Sequence, residues 1–312
     1  MVGNMNNHNS DIATRSILIL GGPASGKTVF GGQLLGRLNE GISQLRMHGT
    51  PENIDPFQDV LFSLNEGLAA THTAASVYHE VVLPLQASDG NLVNLVWPDY
   101  GGEQIKAIIH DRKVPQEWWD RLERASGWLL FVRASHMLPQ EHILSRPIST
   151  PETSQASVDG RETMEGGHSN KVNDASDSPD AGKWSEQAAL VELLQILLFL
   201  KGKGTMMRVK APALLVVLSC WDELGEQDSD TLPGDLLQRG LPLLSDFMRT
   251  TWRDSSYAVL GLSSQEKTLD ASKPDSQYRE LGPERFGYCV MPDGNKTNDL
   301  TQPIRSLMTL MS

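Results

Sequence analysis

The stretch Ser16 to Phe30, SILILGGPASGKTVF, constrains the fold of the chain more than any other. Ser16 to Leu20 is a short apolar run that reads as a buried strand, and it enters a glycine-rich turn closing on Gly26, Lys27 and Thr28. The spacing Gly21-x-x-x-x-Gly26-Lys27-Thr28 is the phosphate-loop pattern, in the strand-before, helix-after context it requires. Glycines let the backbone curl so that successive N–H groups face phosphate oxygens, and a helix starting near Lys27 adds its positive end. Gly21, Gly22, Pro23, Ala24, Ser25, Gly26, Lys27, Thr28 and Val29 therefore form the candidate phosphate-binding set. Lys27 offers charge to the outer phosphates, and the Thr28 hydroxyl is placed to hold Mg²⁺. A glycine-rich turn that matches by chance is the competing reading.

A chain of 312 residues is long enough to bury one large core or two small ones. Its formal charge of −12 argues against a broad nucleic-acid or anionic-membrane surface, since both need clustered Lys and Arg. Only Cys220 and Cys289 occur, which provides no disulfide framework and fits a reducing compartment. Residues 1–15 are polar, with no signal-peptide core, and read as a disordered tail. The densest apolar stretch, Leu190 to Leu200, carries Glu192 and Gln195 and is too short to span a bilayer. The expectation is a soluble cytoplasmic protein.

Thr28 to Leu38 has helical spacing and meets Gly41 as a C-cap; Asp55-Pro56 opens a second helix running to about Leu68. Val77 to Gln86 and Leu92 to Trp97 read as strands, and Asp89-Gly90 between them predicts an antiparallel hairpin. Val114 to Ala125 reads as a helix and Trp128 to Val132 as a buried strand ending at Arg133. Arg133 offers a charge clamp, although a surface salt bridge is the simpler reading. Residues 146–183 are rich in Ser, Thr, Asp, Gly and Pro, and between Pro151 and Trp184 hold seven acids against three bases; they read as a disordered insertion within one domain over 16–312.

Leu190, Leu193, Leu194, Leu197 and Leu198 form the buried stripe of a helix, and Ala213 to Leu218 and Tyr257 to Leu262 are further strands. Leu236 to Trp252 is an amphipathic helix interrupted by Pro242, Leu269 to Arg285 reads as polar loop, and Asp299 to Met311 as a closing helix. Trp97, Trp118, Trp119 and Trp128 read as core. Alternating strands and helices with several fully apolar strands predict an α/β, three-layer phosphate-loop fold. Its sheet is mainly parallel, with helices on both faces and one antiparallel strand pair, and its site lies at the strand ends.

Three further stretches carry chemistry. Asp99-Tyr100-Gly101-Gly102-Glu103-Gln104 follows a strand, 71 residues after Thr28. Its carboxylate can hold a metal-bound water and its Gly102 amide can approach a terminal phosphate. Ser219-Cys220-Trp221-Asp222 ends another strand, and Ser263-Ser264 ends the next. Asp222 alone also reads as a helix N-cap.

In this order and spacing the motifs resemble GTPases of the translation-factor-related class, the group that contains Ras-like and Arf-like switches. WPDYGGEQ, LSCWDEL and GYCVMPDGNKTNDLTQPI also resemble bacterial GTPase domains of the double-GTPase type, proposed to work in conflict or signalling systems. The resemblance implies GTP and GDP as ligands, Mg²⁺ held by Thr28, Asp99 and Thr73 (Thr71 as the alternative), and γ-phosphate sensing by Gly102. It implies guanine reading by Asp222 and a turn at Ser263 and Ser264 backing the base. It also implies a protein effector or regulator, leaving oligomeric state open.

Two departures stand out. Ser219 and Cys220 replace the Asn/Thr-Lys of the base-reading motif, so no lysine stem packs over the base, a role Trp221 is free to take. Glu103 stands where a catalytic Gln is expected, and Gln104 follows it. The catalytic candidates are accordingly Lys27, Glu103, Gln104 and Thr73, in a slow hydrolysis of GTP. A catalytically impaired nucleotide-binding scaffold, or a phosphate-loop kinase or ATPase using ATP, are the alternatives.

Overall fold

The computed structural model describes residues 15–70, 80–98, 102–137, 186–203 and 207–312. The expected insertion at 146–183 and residues 1–14 of the expected tail lie outside these; Arg15 already belongs to the first strand.

In chain order, β1 (Arg15–Gly21) leads into α1 (Lys27–Glu40), the short β2 (Leu45–Met47) and α2 (Asp55–Asn65). The hairpin of β3 (Val81–Ala87) and β4 (Leu92–Trp97) is followed by α3 (Gly102–Asp111), α4 (Gln116–Arg124) and β5 (Ala125–Arg133). Then come α5 (Glu186–Leu200), β6 (Ala213–Ser219), α6 (Glu226–Ser229), α7 (Pro233–Gly240), α8 (Pro242–Thr251) and β7 (Tyr257–Ser263). The chain closes with α9 (Ser276–Leu281), β8 (Tyr288–Val290), β9 (Lys296–Thr297) and α10 (Gln302–Leu310).

Among the described residues, nine strands form one sheet in the order β2-β3-β4-β1-β5-β6-β7-β8-β9. The five central strands, β4 to β7, are parallel, and the expected β3–β4 pair is antiparallel. Antiparallel additions at both edges, β2 on β3 and β8 and β9 beyond β7, go beyond the single pair read from the sequence. The inner strands β1, β5 and β6 are covered on both faces, which is why their buried runs are continuous, whereas β4, with its burial at alternate positions, is not. Along β1, Ile17 and Ile19 join the core under α1 and α10, whereas Leu18 and Leu20 join the core under α3, α4, α5, α7 and α8.

Local chemistry sets the element ends. Gly41 caps α1 with φ 67°, its N–H reaching back to the last turn, as expected. Pro242 separates α7 from α8. The α2 helix stops at Asn65, short of Leu68. Three readings are corrected. Trp119 lies on the solvent side of α4 and is 41% exposed, while Trp97, Trp118 and Trp128 are core. The polar stretch 269–285 holds α9, because Tyr278 is fully buried, stacked on Phe286 and bonded by Gln33 Nε2 at 2.7 Å. The α3 helix begins at Gly102, in a stretch read only as a turn.

Candidate nucleotide site

Because β1, β4, β5, β6 and β7 run parallel, their C-terminal ends lie along one edge of the sheet, where the loops that follow them meet. The loop after β1 depends on its glycines. Gly21 has φ 143°, and a Cβ there would sit 2.7 Å from the Phe131 carbonyl oxygen on β5; Gly26 has φ 76° and precedes the first turn of α1. Ser25 Oγ donates to the Gly22 carbonyl at 2.8 Å, closing the loop on itself. Lys27 Nζ lies inside it, donating to the carbonyls of Gly21 at 2.8 Å and Gly22 at 2.7 Å and to Ser25 Oγ at 3.0 Å. Burial lowers the Lys27 ammonium to about 8.

A cavity of about 300 Å³ opens at this edge. One wall is the loop and helix start, Ala24 to Val29. A second is the turn after β6, with Cys220, Asp222 and Glu223. The third is apolar and was not read from the sequence: Val60 from α2, Ala69 and Ala70 beyond it, and Leu269 after β7. A flat ring with polar edges needs this combination of apolar faces and a fixed carboxylate.

The candidates Asp222, Ser263 and Ser264 lie together at this edge. Asp222 lines the cavity, and Ser263 Oγ, fully buried behind it, donates to its Oδ1 at 2.6 Å. The direction of that bond is fixed, since the same hydroxyl accepts the Glu266 N–H at 2.8 Å and so directs its own hydrogen to the carboxylate. Ser264 lines the cavity alongside. Ser219 Oγ, also buried, donates to the Ser25 carbonyl at 2.8 Å and ties β6 to the phosphate loop. Trp221 does not cover the cavity: it is 1% exposed, packs on Gly261 of β7 and donates from Nε1 to the Ser229 carbonyl at 3.3 Å. Cys220 lines the cavity in a left-handed conformation, φ 55°, and burial, with Glu223 next, pushes its thiol up to about 11.

Thr71, Thr73 and Asp99 lie outside the described residues, as do the side chains of Gln104 and Glu103; Gly102 is described as the first residue of α3. The β4 strand ends at Trp97 beside β1, so the chain leaves the sheet toward the phosphate-loop edge just before Asp99. At the root of the 71–79 segment, the Ala69 N–H donates to the Asp270 carbonyl at 3.0 Å and the Asp275 N–H to the Gly67 carbonyl at 2.9 Å. Thr28 lines the cavity directly after Lys27, a hydroxyl of the kind that joins phosphate oxygens and water around Mg²⁺. Among the described residues, no group of three His, Cys, Asp or Glu side chains is placed to hold a metal.

A family model described as Double-GTPase 1 matches residues 18–307, from β1 to α10. The chain belongs to the Double-GTPase 1 family. Membership of a GTPase family supports guanine-nucleotide binding by this double-GTPase chain. No curated protein matches its sequence. Among solved structures it is similar to the GTPase-like domain of S. cerevisiae Ski7, bound to GTP, at 11% identity and a TM-score of 0.36. That alignment covers 86% of this chain and 48% of the other, so the double-GTPase chain spans about half of that neighbour. None of its described helices is long and apolar enough to cross a membrane.

Proposed function

We propose that residues 16–312 form one GTPase domain acting as a Mg²⁺-dependent switch, which binds GTP, hydrolyses it slowly to GDP and phosphate, and controls a partner protein in a bacterial conflict or signalling system. The observation that carries the reading is the meeting in one cavity of the phosphate loop, with Lys27 inside it, and Asp222, held by Ser263. A carboxylate in this position accepts hydrogen bonds from the guanine N1–H and amino group. With adenine it would be left without donors, a difference of about 1–3 kcal/mol.

Backbone amides of Gly22 to Gly26 and the Lys27 ammonium would stabilise charge on the β- and γ-phosphates. Thr28 and Asp99, with Thr73, would hold Mg²⁺, which supplies charge neutralisation between the phosphates. Gly102 would sense the γ-phosphate, and Gln104, beside Glu103, would orient the attacking water. Loss of the γ-phosphate would release the segments around Thr73 and Gly102 and change affinity for the partner.

Competition among GTP, GDP, ATP and ADP, on the parent chain and on Asp222→Ala, tests the assignment. Guanine nucleotides should win in the parent, and the preference should collapse in the variant. If ATP wins in the parent, the guanine assignment is wrong. Single-turnover phosphate release then separates an enzyme from a scaffold, for which release stays at the buffer rate.

A further inference from the structure

Arg133 is the last residue of β5, and β5 lies between β1 and β6 in the sheet. Its side chain therefore leaves the sheet edge between the phosphate loop and the turn that carries Asp222. It touches both. Nη1 donates to the Ala24 carbonyl of the phosphate loop at 3.2 Å. On the other side Nε donates to Glu223 Oε2 at 2.9 Å while Nη2 pairs with Oε1, a two-pronged contact next to Asp222. Ser135 Oγ, 3.2 Å from Nε, donates to the same Glu223 Oε2 at 2.6 Å and completes the triangle. Arg133 and Glu223 both line the cavity.

We infer that Arg133 is a positioning residue for nucleotide binding, a brace that holds the crest of the phosphate loop at a fixed distance from the base-reading turn. This rests on reading the cavity as the nucleotide site. Three facts separate the brace from an ordinary surface ion pair. The guanidinium joins three segments distant in sequence, the loop at Ala24, β5 and the turn at Glu223. It also holds a carbonyl inside the loop, where peptide orientation decides which N–H groups face the cavity. Ala24 has φ 55°, and in a trans peptide the C=O and the next N–H point in opposite directions, so anchoring the Ala24 carbonyl fixes the Ser25 amide the other way. Finally, Cys220, kept neutral by burial, supplies no charge between the two walls. The fork suits arginine specifically: a lysine ammonium lacks the planar array that serves Ala24 and Glu223 together.

The test is equilibrium binding and dissociation of fluorescent GTP and GDP on the full chain, for the parent, Arg133→Ala, Arg133→Lys and Glu223→Gln, with thermal midpoints measured without nucleotide. Arg133→Ala should lose about tenfold or more in affinity for both nucleotides alike, since the brace does not face the γ-phosphate selectively, and the loss should appear as faster dissociation. Arg133→Lys should recover part of it, and Glu223→Gln should give a smaller loss of the same kind. The nucleotide-free midpoint of Arg133→Ala should stay within about 2 °C of the parent, as for a partly exposed pair.

Parent-like affinity in Arg133→Ala would overturn the inference. So would a loss confined to GTP, which would place the guanidinium at the γ-phosphate, or a fall in the nucleotide-free midpoint that accounts for the whole effect. Should Arg133→Ala fail to fold, Arg133→Lys and Glu223→Gln carry the same comparison, and parent-like affinity in both rejects the brace. A parent chain that binds neither nucleotide would instead reject the nucleotide reading itself.

Discussion

Burial lowers the Lys27 ammonium to about 8, so, on the proposed reading, a modest rise in pH removes the charge that would serve the phosphates. In the complex, phosphate oxygens beside Nζ favour the charged form and raise that value again. The bound state therefore holds a proton that the free state has begun to lose, and affinity follows the protonated fraction of the free protein. It should be level below about pH 7 and fall by about tenfold between about pH 7 and about pH 9, roughly 1.4 kcal/mol. Folding responds with the opposite sign. The folded-state value lies below the ordinary lysine value of 10.5, so the desolvated charge destabilises the fold at low pH, and this penalty fades as the pH rises from about 8 towards 10.5. Nucleotide affinity should thus drop across a range in which Lys27 itself does not lower the thermal midpoint. The assay is competition binding at several pH values, with Lys27→Ala run alongside. The guanine N1–H begins to titrate at the top of the range, but it does so for both proteins and cancels in their ratio. Cys220, up at about 11, stays out of the window. A parent-to-variant affinity ratio that is flat from about pH 7 to about pH 9 would refute a buried lysine serving the phosphates.

Three other outcomes follow from single contacts. Ser263→Ala removes the hydroxyl that holds Asp222 and accepts the Glu266 N–H, so guanine-nucleotide affinity should fall about five- to tenfold by calorimetry; parent-like affinity would mean that Asp222 needs no support. Gly261→Ala places a Cβ 2.4 Å from the Trp221 ring and should destabilise the fold by about 1–3 kcal/mol in denaturant titration, with a shift in tryptophan emission. An unchanged midpoint would show that Trp221 can move aside. Cys220, raised from 9.0 to about 11, should carry about a hundredth of the thiolate of an ordinary cysteine and react correspondingly slowly with iodoacetamide near neutral pH, read by mass spectrometry. Labelling at the rate of a free thiol would contradict its burial.

What was legible in the sequence was local or fully buried. Gly21 and Gly26 announce the loop because its backbone needs them, and β1, β5 and β6 announce themselves because strands covered on both faces must be apolar throughout. The convergence of Asp222 and Ser263 followed from order along the chain, since β6 and β7 pair in parallel with Ser219 opposite Leu262 and their ends emerge together. The apolar wall was not legible. Leu269 is the one large apolar residue between Leu262 and Tyr278, with no period to mark it, and it is buried because Val60, Leu64, Tyr278 and Phe286 gather around it from other elements. Arg133 and Glu223 are 90 residues apart, and nothing local pairs them; the alignment of Arg133 with Ser219 across β5 and β6 does. Strands of three and two residues, β2 and β9, are too short for any alternation to register.

The composition of α1 connects the two halves of the site. Inside a helix, Gly31 and Gly32 are poor choices, each weakening it by about 1 kcal/mol relative to Ala. Their neighbours explain them. A Cβ on Gly31 would lie 2.4 Å from the Phe57 ring, and one on Gly32 would lie 2.6 Å from Val60 Cγ1. Helix α2 therefore rests directly on the α1 backbone, and that close approach carries Val60 to the cavity and sets the chain beyond α2, through Ala69 and Ala70, against Leu269. Further along the same helix, the buried Arg37 donates from Nη2 to the Phe286 carbonyl at 2.6 Å and holds the segment that follows α9. The phosphate loop and the apolar wall are thus placed by one helix, and its glycines favour the spacing between them over the intrinsic stability of α1.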